Sequence, residues 1–174
     1  MGLKLKNEQP DRELLEEGSY PAKCIFIIDM GTQTTGYGEA RKINFGFLTA
    51  EKKEDGTPFI LYRTFPAKIT AKSDLGKAIK KWLKIEIEKG MVFDLDKLLN
   101  KDCMISVEHS EEDDDGNVWD NIASITKLPK TMDPIKVPKK IEPFSLYLDD
   151  SFDKEMFSDL PDFIKDKIKK SPEY

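Results

Sequence analysis

The sequence predicts a mainly β fold: a five-stranded barrel with one helix between strands 3 and 4, then an extended C-terminal tail carrying a short helix. Three observations predict it. Five short runs either alternate apolar and polar residues or are apolar throughout, as half-buried and fully buried strands do. One run, after Ser73, repeats its apolar residues at helical spacing instead. Beyond Leu128 the regular patterns give way to "PKTMDPIKVPKKIEP", with prolines at 129, 134, 138 and 143, the composition of an extended linker.

Residues 1–18 are polar and read as a loosely docked segment. "SYPAKCIFIID", 19–29, is the first strand. Cys24, Phe26 and Ile28 fall on one face and Ile25 and Ile27 on the other, so both faces need cover. The glycine- and threonine-rich stretch after it, containing Gly31, Gly36, Tyr37 and Gly38, reads as a connection free to bend over a ligand. "ARKINFGFLTA", 40–50, is the second strand, with Ile43, Phe45 and Phe47 on one side. Asp55-Gly56 makes a hairpin turn. "FILYRTFPAKIT", 59–70, is the third strand, its end limited by Pro66. Ser73 caps a helix through "DLGKAIKKWLKIEI", whose stripe is Leu75, Ile79, Trp82 and Leu83 and which stops by Gly90. "DLDKLL", 94–99, is a helical turn. "CMISVEH", 103–109, is the fourth strand, with Cys103, Ile105 and Val107 inward, and "NVWDNIASITKL", 117–128, is the fifth. Pro161 opens a last helix over 161–170. The domain plan is therefore a polar segment (1–18), a barrel (19–128), a linker (129–143) and an acidic, hydrophobe-studded tail (144–174). Three strands, a helix and two further strands is the order of an OB-fold.

The 174 residues are 39% hydrophobic and 35% charged, enough for one core under a heavily solvated surface. No apolar run is long enough to span a bilayer, and the first residues lack the apolar core of a secretory signal. Lys6 stands where a myristoylation signal needs Ser or Thr. Cys24 and Cys103 lie inside apolar runs and read as buried thiols in a reducing, cytoplasmic setting. The formal net charge is −5 but is unevenly distributed. From Ile60 to Gly90 eight cations face three anions; from Glu108 to Asp120 there are seven acids and no cation. An acidic protein of this kind still presents a basic surface, and it is the local field that attracts an anion.

Several chemistries fail on residue type. The glycines after Ile28 fit neither a P-loop, which needs a lysine after its last glycine, nor a dinucleotide fingerprint, since Arg41 stands at its third glycine. The acidic run from Glu111 resembles a calcium loop until position 12, which is Ile122. His109 and the adjacent Ser110 have no oxyanion partner in view, and Asp94 and Asp96 read as a helix cap and a surface acid. The expectation is no enzyme, no cofactor and no metal. What remains is an interleaving of rings and cations over strands 1–3, their connections and strand 5. Single-stranded nucleic acid needs that alternation, π faces for bases and cations for phosphates. The candidate binding residues are Lys23, Arg41, Lys42, Lys68 and Lys72 for phosphates, Arg63 for bonding or stacking, and Tyr37, Phe45, Tyr62 and Trp119 for stacking. Phe47 and Phe59 are core.

The segments "IDMGTQTTGYGEARKINFGF", "GTPFILYRTF" with "KSDLGKAIKKWL", "FDLDKLLNKDCMISVEHS", "NIASITKLPK" and "LPDFIKDKIKKSPEY" occur in that order over nearly the whole chain. In content and spacing they resemble a family of bacteriophage single-stranded DNA-binding proteins from replication and recombination modules. The resemblance implies an OB-fold and sequence-tolerant binding of single-stranded DNA. The acidic tail, 144–174, is then expected to recruit replication or recombination proteins, and its removal after Lys140 to leave a folded barrel. No membrane contact is expected, and self-association is left open. A different class of function fits the same residues: a phage module whose barrel binds a host or phage protein, such as a defence component, with little DNA binding.

Overall fold

The computed structural model describes residues 2–6 and 13–174, so part of the polar segment expected at 1–18 lies outside the described residues. The elements run β1 (Gly18–Thr35), β2 (Gly38–Lys52), β3 (Pro58–Pro66), α1 (Asp74–Leu83), β4 (Asp102–His109), β5 (Asp120–Thr126), β6 (Phe144–Leu146), α2 (Lys154–Ser158) and α3 (Asp162–Lys169), with a 3-10 turn at Leu95–Leu98. The fold is mainly β. Five strands form an antiparallel path in the order β3-β2-β1-β4-β5. On β1, β4 pairs with Gly18–Lys23, and β6 then runs parallel to Phe26–Ile28. The sheet curls until β3 and β5 touch, but no strand ladder joins them. The five-stranded barrel expected from the sequence is thus a curled, open sheet with a sixth strand added.

β1 is longer than its apolar run. It continues through the glycine–threonine stretch to Thr35 and pairs with β2 up to Gly38, leaving Gly36 and Tyr37 as a two-residue turn. The expected mobile connection is a hairpin arm. The register shifts between Cys24 and Phe26, where a bulge inserts a residue and breaks strict alternation. Cys24 and Ile27 therefore share the main core with Phe45 and Phe47, while Ile25, Phe26 and Ile28 pack on the other face. This replaces the simple alternation read from the sequence.

The main core lies inside the curl. Phe45 and Phe65 meet edge to face at 5.8 Å, and Phe47 lies 5.8 Å from Trp82 of α1. The Ser73 Oγ accepts from Gly76 N at 3.1 Å, and the Trp82 Nε1 donates to the Asp102 carbonyl at 2.8 Å. Cys103, Ile105 and Val107 point inward as their alternation predicts. The helix ends at Lys84, which takes a left-handed φ of 57°, rather than running on to Ile87. Ile85 and Ile87 beyond it are β-branched residues that pack half-buried on the core outside any helix.

Residues 129–174 are not a linker and a tail. Ile135, Val137 and Ile141 cover Ile25 and Leu48 on the outer face of the sheet. Leu146, Phe157, Leu160, Ile164 and Ile168 cover Ile28 and Met30. α2, which the sequence reading did not anticipate, is capped by Asp153. Gly46 on β2 makes room for this arrangement: a Cβ there would lie 2.7 Å from the Phe26 ring. The segment's hydrophobes are spent on the fold because β1 is apolar on both sides. Fully burying Leu146, Ile164 and Ile168 contributes about 1.5–3 kcal/mol each, on the scale of a whole domain's net stability.

Deleting residues 141–174 is therefore expected to expose Ile28, Met30 and Phe26 and to yield an aggregating or cooperatively unfolded protein. Thermal unfolding followed by circular dichroism checks this; a truncated chain melting at the full-length midpoint would show the segment to be dispensable.

Candidate nucleic-acid interface

The β1–β2 arm is held by a buried carboxylate. Asp29, 2% exposed, accepts from Gly31 N at 3.0 Å, from Leu148 N at 3.0 Å and from Arg41 Nε at 3.1 Å, and makes a second, short bond to Arg41 Nη2. A fork-to-carboxylate pair of this kind fixes the guanidinium plane. Gly31 has a φ of 70°, and a Cβ there would fall 2.4 Å from Ser171. It is a glycine because the last residues of the chain pass directly over it. Thr32 donates to the Glu173 carboxylate from its amide at 2.7 Å and its hydroxyl at 2.6 Å. The Gln33 side chain donates to the Lys167 carbonyl at 2.8 Å. The arm is tied to α3 rather than free.

At the tip Tyr37 is fully exposed. At the base, Lys42 lies opposite Pro66 in the β2–β3 register, and Ala67 N donates to the Arg41 carbonyl at 2.7 Å. The exposed Lys68 and Lys72 follow on the turn into α1, which Thr70 and Ser73 fasten by reciprocal hydrogen bonds of 2.9 Å. Among the described residues Lys42, Lys68 and Lys72 form no ion pair. One ring thus stands at the arm's tip and three ammonium groups outside ion pairs at or just beyond its base, while Arg41 on the arm is paired with Asp29.

The other candidates are placed elsewhere. Phe45 is 1% exposed in the core, so its ring is unavailable for stacking. Tyr62 lies under the C-terminal segment, stacked 6.3 Å from Phe26 and edge-on to Phe163 at 6.4 Å, and burial raises its pKa. Arg63 spans the gap between β3 and β5. Its Nη1 donates to the Ile122 and Ala123 carbonyls at 3.3 and 3.4 Å while its guanidinium lies 4.6 Å from the Phe65 ring centre. Desolvation lowers its pKa, opposed by Asp74. Lys23 pairs with Asp102 at 3.5 Å. Trp119 is half-exposed in the β4–β5 hairpin, its Nε1 facing Asp113 at 3.5 Å. The antiparallel β1–β4 register puts that hairpin at the Gly18 end of β1, opposite the Tyr37 tip.

Sequence reasoning missed Asp29 and Glu173. The signal for Asp29 was present: a lone carboxylate closing the apolar run "CIFIID" needs a partner if the strand is covered. Glu173 carried no such signal, since its partner is 141 residues away.

Among the described residues no three His, Cys, Asp or Glu side chains are grouped to hold a metal, and no helix is long and apolar enough to cross a membrane. No family model matches the chain, and no curated protein matches it.

The Thr32 bonds and Arg41 hold the Glu173 carboxyl below its ordinary value of 4.5. A depressed folded-state pKa contributes stability that is complete above the unfolded value and lost as pH falls through the folded one. Glu173→Gln is thus expected to lower the thermal midpoint at neutral pH and to converge with the parent protein well below pH 4.5. Midpoints measured across that range check it; a constant difference at every pH would place the effect outside this carboxylate.

Proposed function

We propose that this protein binds single-stranded DNA without strong sequence preference, in phage DNA replication or recombination, as the resemblance of its segments implies. The observation that carries the reading is the strand order β3-β2-β1-β4-β5 with α1 between β3 and β4. That is the order of an OB-fold, a partly open barrel used for oligonucleotides. In this reading the touching edges of β3 and β5 are the barrel's seam, and Arg63 closes it in place of a ladder. Arg63 is then a structural residue rather than a base-binding one.

The binding action is passive. Tyr37 supplies a sequence-tolerant π face at the end of a rigid arm, and Lys42, Lys68 and Lys72 neutralise phosphates at its base. Holding bases unstacked from one another removes competing secondary structure in the strand. No covalent step is involved. Recruitment of replication or recombination proteins falls to the exposed acids of the C-terminal segment, such as Asp150, Asp153, Glu155 and Asp159, because its aromatic residues are mostly engaged in the fold.

A second reading, a module that binds a host or phage protein, draws on one observation: the outer face of β1–β3, part of the usual oligonucleotide face, is covered. The two readings separate in one assay. Fluorescence anisotropy with labelled oligo-dT, duplex DNA and RNA over a salt series is expected to give tighter binding to oligo-dT than to duplex, weakening as salt rises. Equal affinity for duplex, or no binding at low salt, would favour the protein-binding module. In the same assay Tyr37→Ala is expected to cost roughly 1–3 kcal/mol of binding with an unchanged unfolding midpoint. Normal binding by that variant would remove Tyr37 from the interface.

A further inference from the structure

We infer that a cationic track along α1 and the end of β5 carries the phosphates of the bound strand, which therefore passes over the β3/β5 seam rather than across the outer face of β2 and β3. The inference rests on the single-strand reading and specifies its path.

The middle of the outer face is covered. Phe26, Tyr62, Ile60 and Leu48 are roofed by Ile135, Val137, Phe144 and α3. The seam side differs. Lys77, Lys81 and Lys84 recur at i, i+4 and i+7, which places them on one side of α1 and its cap. All three are exposed, and among the described residues none is in an ion pair. Lys80, on a neighbouring helix row, is the one that pairs, with Glu86 at 3.1 Å. The end of β5 is clamped to the same helix: Lys127 N donates to the Lys81 carbonyl at 3.2 Å. That bond sets the exposed Lys127 beside Lys81, and the exposed Lys130 lines a groove with Lys127.

Two grooves meet at this clamp. One runs between α1 and β5, with Arg63, Lys77 and Lys81 over a floor of Ala78, Ala123 and Ser124. The other continues past the end of the helix, with Lys101, Lys127 and Lys130 beside Leu83 and Met132. The acids in their walls are Asp74 and Asp102, and Asp102 is paired with Lys23. The chain leads into the track from the arm: Lys68 and Lys72 lie on the turn just before Ser73, the cap of α1. A run of cations therefore extends from Lys42 at the arm base through Lys68, Lys72, Lys77 and Lys81 to Lys127 and Lys130. The apolar groups beside it are aliphatic, among them Leu83, Ile85, Leu128 and Met132, and the one ring in the groove lining, Trp82, is buried. Lysines without rings suit the sugar–phosphate chain, as point charges on phosphates, and leave stacking to Tyr37.

The test replaces Lys77, Lys81, Lys127 and Lys130 together by Gln in the full chain and compares salt dependence of oligo-dT binding with that of the parent and of Lys139→Gln/Lys140→Gln, two exposed cations on the covering segment. Removing one lysine–phosphate pairing lowers the slope of log affinity against log salt by about 0.7 for a single strand. The quadruple variant is expected to lose up to about 3 from the slope and at least tenfold in affinity at low salt, while the control pair matches the parent. Unfolding midpoints establish that the variants fold. If the quadruple variant fails to fold, the pairs Lys77→Gln/Lys81→Gln and Lys127→Gln/Lys130→Gln are each expected to lose about half as much slope. A parent that binds oligo-dT and a folded variant set with unchanged slope would overturn the track and leave the single-strand reading standing. A parent that does not bind oligo-dT at low salt would overturn both.

Discussion

A strand that is apolar on both faces has to be covered twice. β1 imposes that requirement on the whole chain, and most of the fold is the response to it. The bulge at Cys24/Phe26 divides its side chains between two cores. The inner one is closed by β2 to β5 and α1. The outer one is closed by residues 129–174, which supply a parallel strand and two helices. Between Ile28 and Met30 of the outer core β1 carries Asp29, whose carboxylate gathers the Gly31 amide, Arg41 and the Leu148 amide into one hydrogen-bonded unit. A buried carboxylate satisfied by a guanidinium and two amides holds its neighbours in one geometry, and breaking the pair would leave a desolvated charge.

This double cover redistributes where a ligand could lie. The segment that shields the back of β1 also shields Tyr62 and the outer face of β2 and β3. The exposed functional groups are displaced to the ends and to the seam: a tyrosine on the arm, lysines at its base, more lysines along α1. The charge is segregated in the same sense. The β4–β5 hairpin, with Asp113, Asp114 and Asp115, projects from the end opposite the Tyr37 tip. An overall acidic chain thus keeps a basic surface by separating the two signs along its length, and the near field of that surface is what an approaching polyanion meets.

The strands, the helix and its capping serine were legible because each follows from local periodicity. Cys103, Ile105 and Val107 alternate and are inward; Leu75, Ile79 and Trp82 repeat at helical spacing and are buried. The errors at the candidate site share one cause, since each depended on residues distant in the chain. Phe45 and Tyr62 have the chemistry of stacking residues, yet one faces the inner core and the other is capped by Phe163, about a hundred residues on. Arg63 has the chemistry of a nucleic-acid ligand but finds carbonyls on β5 across the seam. Prolines and scattered acids in 129–174 read as linker and tail because no short window of that segment has a face of its own. Its hydrophobes make sense only against Ile25, Ile28 and Leu48.

By itself, then, the sequence determined the kind and order of the elements up to β5, the position of the turn at Asp55-Gly56, the burial of both cysteines and the uneven placement of charge. These are properties of short windows, where side-chain pattern and backbone preference act within a few residues. Only the tertiary structure decided which residues of β1 and β3 each core took, that the arm is ordered, that Arg63 sits in a seam and that the last quarter of the chain belongs to the core. Those outcomes depend on what lies across the sheet, and a bulge of one residue is enough to exchange inside for outside.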